Sequence, residues 1–159
     1  TESGSGDIGL DLKWRFYEKD MLSFALKPGI TLPSGDEKRG LGAGKSTYSI
    51  YLVTTIAPEP WEFHLHLGYV NYPNKLGERE DLWHVSFAAG YTFDNRLRLV
   101  MDLSTGTNPD PAVNEMPAFL IVGLIYPLSK KFDLDVGYKQ GLTGPETDRS
   151  LLAGATLRF

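Results

Sequence analysis

The stretch Trp61-Glu62-Phe63-His64-Leu65-His66-Leu67-Gly68-Tyr69 sets a large apolar residue at every odd position and a polar or small one at every even position. Successive side chains of an extended chain point to opposite faces, so this two-residue period predicts a strand with one greasy and one wet face. The same period recurs along the chain. It predicts strands over 7–18, 21–32, 47–56, 61–69, 82–93, 97–104, 116–128 and 132–140, and a last one ending at 159. That makes nine strands and no helix. The segment 116–128 stands apart because it is apolar on both faces, with Phe119, Ile121 and Ile125 on the side that is polar elsewhere.

The connections alternate in length. Residues 19–20, 57–60, 94–96 and 129–131 are short turns, whereas 33–46, 71–81, 105–115 and 141–148 are longer and rich in Gly, Pro and Asn. Strands joined in this way form an antiparallel up-and-down sheet with all long loops at one end, the asymmetry of outer-membrane barrels.

Whether the greasy face looks inward or outward is a question of volume. It carries on the order of forty large side chains, and a barrel of about eight strands has an interior only wide enough for a packed core or one small ligand. The opposite face mixes Gly, Ser, Ala and Thr with charges, which suits a crowded, wet lumen. We therefore expect an all-β, antiparallel up-and-down transmembrane β-barrel whose apolar face meets outer-membrane lipid; a soluble sandwich or lipocalin-like barrel is the competing reading. Aromatics at the strand ends, among them Trp14, Phe16, Trp61 and Tyr91 beside short turns and Tyr48, Tyr69 and Trp83 toward long loops, read as two interfacial girdles.

Composition narrows the function classes. A chain of 159 residues is read as a single domain, 1–159, and a net charge of −4 gives no footprint for nucleic acid. The absence of cysteine excludes disulfides and thiolate metal sites. Residues 1–10 lack a signal-peptide pattern, and no apolar run of about eighteen residues exists to form a membrane helix.

Several motifs carry a family likeness. The terminal Leu157-Arg158-Phe159 resembles the C-terminal signal of outer-membrane barrels, which implies recognition of the last strand by barrel-assembly machinery, with Phe159 as its key residue. The runs Leu32-Pro33-Ser34-Gly35-Asp36, Gly40-Leu41-Gly42-Ala43-Gly44-Lys45 and Thr107-Asn108-Pro109-Asp110 resemble transporter-like barrels associated with meta-pathway phenol degradation, as do Gly6-Asp7-Ile8-Gly9-Leu10 and Trp14-Arg15-Phe16. The resemblance implies passage of small, often aromatic or hydrophobic, permeants. Closed bacterial barrels have an even strand number, so nine strands lead us to expect further strands before Thr1, in a barrel of ten to twelve.

The expected lumen wall carries charges of both signs: Asp7, Asp11, Lys13, Arg15, Lys27, Glu62, Arg98, Asp102, Asp133, Asp135, Lys139 and Arg158. They would line a selective path or knit a plugged interior. Phe119, Ile121 and Ile125 add an apolar strip for a greasy substrate or for an inserted segment. His64, His66 and His84 fall on neighbouring strands and could ligate a metal with Glu62, although a hydrated wall is the preferred reading and no metal or cofactor is expected. Gly40 to Ser46 mimics a phosphate loop, but Arg39 stands where its first glycine belongs and a strand follows instead of a helix. Ser86 with His84 lacks an acid to orient the imidazole, so no catalytic site is expected. The leading expectation is a passive outer-membrane channel. A non-conducting structural or adhesion barrel, or a lipid-modifying enzyme, are the alternatives.

Overall fold

The computed structural model describes residues 3–158, so the predicted assembly signal at Phe159 lies outside the described part. The chain is all-β. Its strands are β1 (Ile8–Asp11), β2 (Trp14–Lys19), β3 (Leu22–Leu32), β4 (Thr47–Ile56), β5 (Trp61–Asn71), β6 (Asp81–Thr92), β7 (Arg98–Gly106), β8 (Ala118–Pro127), β9 (Phe132–Gly141) and β10 (Arg149–Leu157). From β3 to β10 each strand pairs antiparallel with the next in sequence, giving one up-and-down sheet. The sheet is open, with β1 and β2 along one edge and β10 along the other. Among the described residues no helix is long and apolar enough to cross a membrane.

The expected strand 7–18 is broken in two, which explains ten elements where nine were predicted. Both pieces pair with β3: Asp11 sits opposite Gly29 and Trp14 opposite Leu26. The gap faces Pro28, which has no N–H to give to the ladder, and only the Leu12 amide reaches back to the Pro28 carbonyl, at 3.0 Å. A bulge then inserts Phe16, since Arg15 pairs with Ala25 but Tyr17 with Phe24. The bulge turns Glu18 back to the side of Ser23 and leaves both Phe16 and Tyr17 against Phe24. A second departure is the short 3-10 helix Glu37–Arg39 within the first long loop, capped by the Asp36 side chain and closed by Gly40 at φ 69°.

Burial runs opposite to that of a globular core. Trp83 is 63% exposed and Leu67 44%, whereas Ser86 and Ser104 are 6% and 4% exposed. Among the described residues the buried apolar ones are Ala25, Ala43 and Val53 alone. Most of the large apolar residues thus occupy one exposed face, and small and polar residues, with an apolar strip on β8, occupy the other. That second face is concave: Lys13 and His64 line one depression although β3 and β4 lie between them, and Arg98 of β7 reaches Glu62 of β5 across β6.

Candidate functional site

The concave face is built by register. One row of cross-strand partners runs Ala25, Val53, His66, Ser86, Ser104, Phe119 and Gly141. The next runs Ser23, Thr55, His64, Ala88, Asp102, Ile121 and Lys139. Glu62, Gly90, Val100, Gly123 and Gly137 follow. The imidazoles therefore lie on β5 and β6, and the large apolar residues of this face on β8, with β9 again carrying charges at Asp135 and Lys139.

Most of the predicted wall charges are brought into pairs. Lys27 Nζ lies 3.3 Å from Asp11 and 5.6 Å above the Tyr51 ring. Arg15 pairs with Glu18 at 2.8 Å. Glu62 is the centre of the largest group: it pairs with Arg98 and stands 3.8 Å from His64 Nε2, while His64 Nδ1 is 2.9 Å from the Thr55 hydroxyl. Glu62 can cross toward Arg98 because Gly90 lies beneath it, and a Cβ on Gly90 would meet Glu62 Cγ at 2.8 Å. Lys13 shares a depression of about 280 Å³ with Arg15 and His64. Asp102 accepts the Ser104 hydroxyl at 2.5 Å. The buried Asp133 pairs with Arg158, and Asp135 packs its carboxylate over Gly154. Lys139 Nζ lies 4.1 Å from the Phe119 ring centre and 2.8 Å from Glu146.

The three histidines separate. His64 belongs to the Glu62 group, His66 stands between Val53 and Ser86, and His84 packs edge-on against Tyr51 at 6.0 Å. Among the described residues no three His, Asp or Glu side chains converge as metal ligands. Ser86 faces His66 and Ser104 across the ladders and is buried. Phe119, Ile121 and Ile125 do share the concave face, and Val100 and Leu152 extend their apolar strip.

Three groups escaped the sequence reading. Asp7, expected on the lumen wall, instead clasps the first long loop, accepting the amides of Gly35 and Ala43 at 2.8 Å each. Arg79 stitches the second long loop to the third through the carbonyls of Asn108, Asp110, Pro111 and Val113 and the Asn114 side chain. Lys75 ties the second to the first, its ammonium 2.8 Å from Glu37 and its amide 2.9 Å from the Ala43 carbonyl. The hydrogen bond from Lys75 holds the Glu37 carboxyl below the usual carboxylate range, and that from Lys139 does the same for Glu146. A lone Arg or Lys in a polar loop gives no sequence signal of such roles. Tyr51, under Lys27 and beside His84, is a fourth group missed, and it had a signal, since it alternates in register with Ser49 and Val53.

An antiparallel up-and-down sheet with an apolar convex face and a hydrophilic, ion-paired concave face defines the class of protein. The chain belongs to the family described as putative MetA-pathway of phenol degradation, whose model matches residues 1–159. No curated protein matches the chain at a significant level.

Proposed function

We propose that the protein is an outer-membrane channel for passive uptake of small molecules, hydrophobic or aromatic ones among them. The observation that carries this reading is the inverted burial: large apolar side chains cover the exposed face, and serines, glycines and paired charges line the concave one. So wide an apolar surface is untenable in water but is what a bilayer solvates. Strand length agrees. β5 has 11 residues. At about 3.3 Å per residue and a tilt of about 40°, such a strand rises about 28 Å, near the apolar band of about 25 Å. Aromatic pairs stand at both ends of that span, Trp61 with Tyr91 at 4.7 Å and Tyr69 with Trp83 at 4.8 Å, where interfacial rings are favoured. The lined face supplies a hydrated path whose mixed charges would set selectivity, and outer-membrane lipid, permeant and barrel-assembly machinery are the partners this reading requires.

The test is reconstitution. In planar bilayers and in liposome-swelling assays the protein should conduct ions and admit small aromatic solutes. Absence of both conductance and uptake would overturn the channel and favour a non-conducting barrel, for which the stitched long loops would serve as a display surface.

A further inference from the structure

The cations of the concave face are nearly all committed. Lys27 is held by Asp11, Arg15 by Glu18, Arg98 by Glu62, Lys139 by Glu146 and Arg158 by Asp133. Among the described residues, Lys13 alone on this face has no carboxylate at ion-pairing distance. The reason is local. Lys13 lies in the gap opposite Pro28 between β1 and β2, and the nearest acid on its own segment, Asp11, is taken by Lys27. Its side chain borders the depression of about 280 Å³ that runs toward the short turn after β2, together with Arg15, Thr55 and His64. Glu18 and Asp20 line the far end. Glu18 is committed to Arg15, and Asp20 stands seven residues beyond Lys13, about 20 Å along the strand at about 3.3 Å per residue. That exceeds the screening length of about 8–10 Å, so neither acid neutralises Lys13.

We propose that the Lys13 end of this depression is a subsite for the carboxylate of a small aliphatic monoanion. The proposal rests on the channel reading in that the depression lies on the face taken to line the path. One uncommitted ammonium matches one negative charge. Arg15, two residues on and bordering the same depression, gives Nη1 to Glu18 and retains further N–H donors. A carboxylate has two acceptor oxygens, enough to take one donor from each of Lys13 and Arg15. Ala25 and Val53 at the base are each 4% exposed, so the depression offers no broad apolar floor and the anionic group carries the recognition. A neutral amide of the same shape brings no charge to Lys13, and an ammonium ion meets it with like charge, so both are disfavoured. The attraction is that of an exposed ion pair and is therefore weak, as a path needs of a site that must release what it holds.

Saturation-transfer NMR on the full chain in uncharged detergent micelles, at about pH 8 where imidazoles are neutral, tests the assignment. Acetate should take up at least about threefold more saturation from the protein than its isostere acetamide, the scale of an exposed ion pair. Lys13→Gln should lower the acetate signal about threefold, and Lys13→Arg, which keeps the charge, should preserve it. Lys130→Gln, an equal loss of charge in a short turn, should leave it unchanged, and circular dichroism verifies that each variant folds. An acetate signal unchanged in folded Lys13→Gln, lowered as far by Lys130→Gln, or matched by acetamide would overturn the subsite. Conductance measured in parallel separates the two readings. A protein that conducts without this acetate pattern keeps the channel and loses the subsite, whereas one that shows the pattern without conducting keeps the subsite and loses the channel.

Discussion

Leu65 and His66 are neighbours in sequence and face opposite worlds. Leu65 pairs with Phe87 among the exposed apolar residues, and His66 with Ser86 on the concave face. Leu65→Arg should destabilise the protein refolded into lipid vesicles by about 2–4 kcal/mol, the cost of a charge at mid-bilayer. His66→Arg should leave refolding near wild type and shift the reversal potential toward anions. Equal costs in denaturant titrations would remove the membrane assignment. A glycine offers a subtler test. Gly90 leaves room for Glu62 to reach Arg98, and Gly90→Ala would place a methyl group 2.8 Å from Glu62 Cγ. The expected result is an altered ion selectivity in bilayer recordings with the strands intact by circular dichroism.

Between elements, the long loops form a chain of contacts in which each is tied to the next. Arg79 is the strongest tie, because one guanidinium reaches four carbonyls of the third loop. Arg79→Ala should release that loop, seen as faster cleavage by proteinase K within 107–117, without loss of the strands. The tie between the first two loops is pH-dependent. The Glu37 carboxyl is held below its ordinary value by Lys75, so its contribution is complete above the unfolded value of about 4.3 and is lost as the pH falls through the lower folded value. Cleavage of the first long loop should stay constant from neutral pH down to about 4.3 and rise below it. Glu37→Gln should be cleaved faster at neutral pH already; cleavage that is equal in both proteins would dissociate the loop from this ion pair.

At the scale of the whole molecule, the decisive property is which face is apolar. All three tryptophans, Trp14, Trp61 and Trp83, are well exposed on the greasy side. In vesicles of brominated lipid their fluorescence should be strongly quenched, with Trp61 and Trp83, at opposite ends of the span, quenched most by bromines near the headgroups. Unquenched tryptophans would mean that this face meets protein instead of lipid.

Alternation and connection length determined the strands, their antiparallel order and the face of nearly every residue on them, because a period of two leaves a side chain only two directions. For Trp61 to Tyr69 the sequence alone put Glu62, His64 and His66 on one side and Trp61, Phe63, Leu65, Leu67 and Tyr69 on the other, and the fold keeps that division. Tertiary structure decided everything that depends on register between strands or on contacts between loops. Pro28 breaks the first strand because it lies opposite residues 12–13, Asp7 serves a loop more than two dozen residues away, and Arg79 finds its carbonyls about thirty residues on. The reach of the Glu62 side chain over Gly90 is likewise invisible in sequence. It exists because Gly90 lies opposite Glu62 in the pairing of β5 with β6, and neighbourhood across a sheet is set by hydrogen-bonded register rather than by distance along the chain.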